Sequence, residues 1–431
     1  MINKFTNCNF TVGSRQVFGI NVLDNVIYPT ERAVLDTVKA GDIIYLHNHL
    51  QSLEEESMEW LKGLAESVPV VILHGHGHKW YDYQIGGSRV VGMRGLDPDK
   101  AIGGFPCINY LDVTENTVEI SEKQFAIPVD VVEDVSLHLG ISCADNLRDV
   151  SYALEHGVGA IELRCNGKDW EPEMTLFPLL EAWRAKTRGY LSVHMPDIKY
   201  QDGIFYGKEQ WMIALEYAIA VRADALTIHP PKVKRCDILN DRTVWQEYLR
   251  LYMLVVNRVP ETVKIGIENM HLNKGEVPDN NRRFGYTPGE VSDWIDAMND
   301  AWSRGQADSC RVGHVLDVGH ARNNGRLAQQ YPIGTWYQAM GKKTVAYHIH
   351  QTIKAPTGLK NHKALENWFG PMINYTGFFY AWKQNMLNHV PVFLEVRGCE
   401  YYAQSMEGLQ ELKEVCSEPG YCQNKNFTFV S

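Results

Sequence analysis

From residue 136 onward the apolar positions fall into a repeating unit: a short apolar run, a polar loop, then a stretch with apolar residues every three or four positions. The short runs are Ser136–Ser142, Ala160–Arg164, Leu191–His194, Ala225–His229, Lys264–Glu268, Gly313–Asp317, Val345–His350 and Val392–Val396. Runs of this length between turn residues predict buried strands. The intervening stretches carry helical spacing. Among them are Leu147–His156 behind a cap-forming Asp145, Glu209–Val221, Val244–Val256, Pro288–Trp302 and Phe378–Leu387. Such alternation predicts an α/β fold with a parallel sheet, and this many units close naturally into a (β/α)8 TIM barrel. An open doubly wound sheet is the alternative. The lack of a Gly-rich phosphate loop after the first run weakens it.

The first part of the chain follows a different pattern. Val17–Leu23, Asp42–Leu46, Val68–Leu73 and Arg89–Met93 read as strands joined by short helices. An apolar run, Cys107–Val113, then gives way to a charged, pattern-poor stretch over Thr114–Lys123. This predicts a boundary between Thr114 and Val135, with a small α/β module over residues 1–120 and the barrel over 131–431.

Bulk composition narrows the function classes. The 431 residues are 45% hydrophobic and 22% charged, which is ample for a large core. The net charge of -10 disfavours general nucleic-acid binding, because an acidic surface repels phosphate backbones. No apolar run approaches the ~18 residues that span a bilayer. Nine scattered cysteines without a C-x-x-C pair, and an opening without a charged-then-apolar leader, lead us to expect a reducing cytoplasm.

The chemistry gathers at the strand ends. Successive runs finish in Glu162 and Arg164, His194, His229, Glu268 and Asn269, Asp317 and His320, His348 and His350, then Glu395 and Arg397. A lone His or Glu at a strand end is an ordinary loop residue. The same pattern on successive strands of a barrel is different, because their C-terminal ends ring one axis, where active sites of such barrels lie. Buried carboxylates and imidazoles require partners, and a shared cation supplies one. The mixture suits one divalent ion, Mn²⁺, Zn²⁺, Co²⁺ or Mg²⁺.

Ile265-Gly-Ile-Glu-Asn269, Val315-Leu-Asp-Val-Gly-His320, His348-Ile-His350 and Phe393-Leu-Glu395 resemble the xylose-isomerase-like barrel superfamily, which includes sugar epimerases and isomerases and endonuclease-IV-type apurinic endonucleases. The resemblance runs from about Ser136 to Leu412. It implies Glu268, Asp317, His348 and Glu395 as metal ligands. It further implies Glu268 and Glu395 as the acid/base pair, and His320 and Arg397 as substrate contacts. Glu162, His194 and His229 would line the pocket of a small sugar or sugar phosphate. In the endonuclease branch His194, His229, His320 and His362 would join the ligand set around a cluster of zinc ions. Two departures argue against that branch: Lys360 stands where its motif has Asp, and Gln351 where strand seven usually continues with Asp. Sugar isomerisation or epimerisation is therefore the expectation. A zinc phosphodiesterase or apurinic endonuclease is the first alternative, and a non-catalytic sugar-binding barrel the second.

In the N-terminal part, Phe18-Gly-Ile-Asn-Val-Leu-Asp24, Leu46-His47-Asn48-His49 and His74-Gly75-His76-Gly77-His78 resemble the C-terminal half of a calcineurin-like metallophosphoesterase. The ligands of the first half are absent, so the resemblance implies an incomplete module. His47, His49, His76 and His78 are at most weak extra metal ligands.

Overall fold

The computed structural model describes residues 7–20, 22–75, 80–95, 107–114, 116–124, 127–165, 175–273, 275–303, 311–356, 358–369, 372–417 and 426–430. The chain divides into two compact units. One comprises residues 1–127, 374–376 and 416–431, and the other 128–373 and 377–415.

The N-terminal unit is built on a six-stranded sheet. Its strands are β1 (Cys8–Val12), β2 (Arg15–Ile20), β3 (Ile43–Leu46), β4 (Val71–His74), β5 (Tyr81–Ile85) and β6 (Ser88–Gly92), in the order β1-β2-β3-β4-β6-β5. The four inner strands are parallel, and the edge strands β1 and β5 are antiparallel to their neighbours. Alternating side chains leave opposite faces of the sheet. Phe18, Ile20, Ile44, Leu46, Ile72 and Val90 join one core with Leu35, Leu61 and Ala65 from the helices Pro29–Leu35 and Glu55–Ser67. Val17, Ile43, Val71, Leu73 and Val91 form the other, with Val118 and Ile120.

Those last two residues belong to a strand where the sequence pattern predicts only a featureless boundary. β7 (Cys107–Val113) pairs with β8 (Thr117–Gln124), and β8 pairs on its other side with the last strand of the chain, Asn426–Val430. The alternation is real but disguised. Val118, Ile120 and Glu122 are buried, and Glu122 is held by the guanidinium of Arg94 through a 2.8 Å bond from Nε. A buried, paired carboxylate at an inward position makes a period-two pattern look merely charged.

The second unit is a closed barrel of eight parallel strands. They are β9 (Leu139–Ser142), β10 (Ala160–Arg164), β11 (Tyr190–His194), β14 (Ala225–Ile228), β15 (Lys264–Glu268), β16 (Val312–Asp317), β17 (Thr344–Ile349) and β20 (Val392–Leu394). A small hairpin, β12 (Lys199–Gln201) with β13 (Ile204–Tyr206), follows β11, and a second, β18 (Gln351–Ala355) with β19 (Gly358–Lys363), follows β17. The fold class is thus the α/β TIM barrel expected. One element differs. The first strand begins at Leu139, and the preceding segment is a helix, Val129–Leu137, whose buried Val131, Val132 and Val135 have helical rather than alternating spacing. Inside the barrel Ala160, Val315, Ala346 and Phe393 form an apolar plug with Tyr190 and Val345 against it. Past this plug the inward positions turn polar, and there the chemistry begins. Among the described residues no helix is long and apolar enough to cross a membrane.

Candidate metal centre at the barrel mouth

The strands deliver their last inward residues to one place. Glu268, Asp317, His348 and Glu395 are buried and offer ligand atoms that all lie within 4.8 Å of one another. Two further sets meet the same criterion. His194, His229 and Glu268 form one, and His350, His362 and Glu395 the other. Glu268 and Glu395 each belong to two sets.

Local structure fixes these side chains. Asp317 ends β16 and caps the short helix Val318–Arg322, its Oδ1 accepting the His320 amide at 2.7 Å. Asn269 clamps the same turn. It donates to the Asp317 carbonyl at 2.9 Å and accepts the Asp317 amide at 2.8 Å, while its own carbonyl meets His320 Nδ1 at 2.9 Å. His362 comes from β19. The hairpin folds it back so that Nδ1 lies 3.0 Å from the Glu395 carbonyl and 3.6 Å from Glu395 Oε2. The backbone there adopts a φ of 56°, and the His362 amide bonds to His350 Nδ1 at 3.2 Å.

Glu268 is at the centre. His194 Nε2 and His229 Nε2 lie 3.1 and 3.2 Å from its Oε2. His348 Nδ1 and His320 Nδ1 lie 3.2 and 3.5 Å from its Oε1. His229 is oriented from behind by Asp197, 2.6 Å from Nδ1, and Asp197 also takes Lys232. His348 is backed by Glu162, 3.0 Å from Nε2. Expected to line a substrate pocket, Glu162 instead lies fully buried and accepts bonds from Ser142, Ser192 and Thr227.

The electrostatics differ among the carboxylates. Burial raises the pKa of Glu162, but His348, His194 and the Thr227 hydroxyl outweigh it and hold the group down at about 2. Glu268 and Glu395 are also held well below the usual range. Burial opposes this, while histidines on Glu268, and Arg164 with His348 and His362 on Glu395, overcome it. Asp317 goes the other way. Burial, reinforced by the charges of Glu395 and Glu268, raises it well above normal, and His350 and His348 do not compensate. Its Oδ2 is buried without a hydrogen-bond partner, as is Glu395 Oε2. Two carboxylate oxygens without hydrogen-bond partners, beside the imidazoles of His320, His350 and His362 that burial holds below their usual pKa, are a donor set a divalent cation fits. Neighbouring histidines offset the burial of Glu268, whereas those near Asp317 do not offset its burial.

Arg397, expected as a substrate contact, is exposed, and its charge acts on His362. The guanidinium in contact with the carboxylates is Arg164, which donates to Glu395 Oε1. Sequence reasoning does not single out Asp197, Lys232 or Arg164 as functional residues. Asp197 lies three residues beyond His194, outside any strand, and only the folded chain brings it to His229. In the N-terminal unit, His49 Nδ1 caps a turn by accepting the Gln51 amide at 3.1 Å, and His47 follows β3. His76 and His78 lie outside the described residues.

Residues 150–414 match the family model described as the xylose isomerase-like TIM barrel, and the chain belongs to that family. The family includes isomerases, epimerases and endonucleases. Solved structures with a similar fold share little sequence. A D-tagatose 3-epimerase-like protein is 18% identical, with a TM-score of 0.42 over 65% of this chain and 98% of its own. A putative xylose isomerase from Rhodospirillum rubrum is 13% identical, with a TM-score of 0.49 over 65% and 99%. Endonuclease IV from Thermus thermophilus is 16% identical, with a TM-score of 0.43 over 64% and 99%. No curated protein matches the chain.

Proposed function

We propose that the barrel is a metal-dependent hydrolase of phosphate esters whose mouth takes more than one divalent cation. One observation carries this reading: the two oxygens of Glu268 face different donors, His194 and His229 on one side, His348 and His320 on the other. A carboxylate engaged on both oxygens suits a bridge between ions better than a base that must take a proton from carbon. When bound, adjacent cations supply charge to both the attacking and the leaving oxygen of a phosphoryl centre. The chain's own part is to hold the donors still. Asp197 and Lys232 fix the His229 ring, Glu162 fixes His348, and Asn269 fixes Asp317 and His320. The net charge of -10 argues for a small phosphate ester over a long nucleic acid.

The second reading is the sugar isomerase or epimerase, with one ion held by Glu268, Asp317, His348 and Glu395. The orphaned Glu395 Oε2 favours it, since a proton-transferring base needs a free oxygen. Lys360, in place of an Asp, favours it too. Metal analysis of the purified protein separates the two readings. More than one ion per chain, with hydrolysis of bis(p-nitrophenyl) phosphate that Glu268→Gln abolishes, is the expected result. One ion per chain, with solvent deuterium entering a ketose or sugar phosphate next to its carbonyl, would establish the isomerase instead. For the N-terminal unit we infer a metallophosphoesterase-like module in which residues 1–120 alone carry no hydrolytic activity. Hydrolysis that survives Glu268→Gln but is lost in His76→Ala would overturn this.

A further inference from the structure

We infer that Arg164 is the receptor for an anionic group, a phosphate oxygen pair, on the substrate of this mouth; the inference rests on the phosphate-ester reading above. Arg164 is the last residue of β10, and its backbone is pinned on both sides by Asn146. The amide donates to Asn146 Oδ1 at 3.1 Å, and the carbonyl accepts from Asn146 Nδ2 at 2.9 Å. Its guanidinium makes one side-chain contact, Nη2 to Glu395 Oε1. Nη1 and Nε have no partner among the described residues, and a third of the side chain, 33%, is open to solvent. The charges of Glu395, Glu162 and Glu268 all act on it.

A permanent cation beside candidate metal ligands opposes the metal. If its role were only to hold Glu395, a neutral donor would do so without that repulsion, as Ser142, Ser192 and Thr227 do for Glu162. An arginine makes sense here if its charge is needed once the carboxylate charge is taken up by a bound cation. It then presents a planar fork with free N–H groups at the rim, the geometry that matches two oxygens of a phosphate. A neutral sugar would leave that positive charge uncompensated. Arg397, the other arginine nearby, is exposed and has no ion pair with the site carboxylates among the described residues.

The experiment is titration of the metal-loaded full-length protein with inorganic phosphate, followed by calorimetry, for wild type, Arg164→Met, Arg164→Lys and Arg397→Met, with metal content measured on each. Charge-assisted bonds of this kind correspond to roughly 10–100-fold in affinity. Arg164→Met should weaken phosphate binding by that factor with metal content unchanged. Arg164→Lys should fall between, and Arg397→Met should match wild type. Three results would each overturn the proposal: no phosphate binding by wild type, unchanged binding in Arg164→Met, or joint loss of metal and phosphate in Arg164→Met. The last would reduce Arg164 to a positioning partner of Glu395. If Arg164 governs phosphate binding but no phosphate ester is hydrolysed, the anion site stands and the hydrolase reading alone fails.

Discussion

In the N-terminal unit His49, His74 and Tyr81 pack ring against ring, with His49 and His74 centroids 5.1 Å apart and His74 stacked on Tyr81 at 5.9 Å. At the barrel mouth His194, His229, His320 and His348 pack against the carboxylates of Glu268, Asp317, Glu162 and Glu395 instead. Both gatherings stand at the ends of parallel strands, and both arise from motifs that look alike on paper. The difference is acid. Among these rings the pKa of His74 falls to about 4, with burial the largest cause and His49 next. Histidines among carboxylates become parts of a charged network that either holds protons or exchanges them for a cation. Counting histidines therefore does not find a metal site. The carboxylates that oppose them mark out the candidate.

The strongest test of this contrast is Asp317→Ala. It removes a carboxylate whose pKa burial raises well above normal, and that side chain also caps the following helix. A cation contributes several kcal/mol to the charge stabilisation of a reaction, so activity should fall by roughly 10³-fold or more. Elemental analysis should show metal lost in proportion. Full metal content in the variant would mean that the donors are not a metal site. His49→Ala, the matched change in the other unit, should leave both metal content and activity as they were.

A smaller effect is expected from Asp197→Asn. The residue does not reach Glu268; it acts by orienting His229. Loss of such an outer carboxylate typically weakens metal affinity by about 10–100-fold. Competition with a chelator would measure the change, and Asp197→Glu should restore part of it if orientation is the cause. An Asp197→Asn protein as tight as wild type would make the Asp197–His229 contact incidental.

How much of this can be read before folding depends on distance along the chain. Glu268, Asp317, His348 and Glu395 are legible because each ends an apolar run, and the barrel topology alone sends strand ends to one mouth. The inward Ser142, Ser192 and Thr227 are hidden, since a small hydroxyl within an apolar run looks like tolerated noise until Glu162 is found to sit among them. Arg164 ends a strand in full view, but the charge it opposes, Glu395, follows β20, 231 residues later. The helix Val129–Leu137 escapes for a different reason. Its valines favour strands by propensity, and only their spacing reveals the helix.

The finest test falls on His74 itself. Its ring is buried, and neither nitrogen has a hydrogen-bond partner among the described residues. His74→Phe keeps the ring and removes no bond, so near pH 7 the change should lie within about 1 kcal/mol of neutral. At lower pH the two proteins should part. The folded chain resists protonating His74 until pH falls to about 4, whereas an unfolded histidine accepts its proton near the ordinary value of 6.5. Between those values the unfolded state binds the extra proton. Wild-type stability is therefore intact above the window and declines as pH falls through it, by up to about 3 kcal/mol. His74→Phe should lack this component of the decline. Because two units need not unfold together, hydrogen exchange at the β4 amides is the proper readout. At the barrel mouth the same substitution should behave in the opposite way. His348→Phe would remove the imidazole that Glu162 and Glu268 share, leaving Glu162 its hydroxyl donors and Glu268 its other histidines, and should destabilise by up to about 3–5 kcal/mol even at neutral pH. Equal effects at the two positions would mean that His74 and His348 do not differ in the way their surroundings suggest.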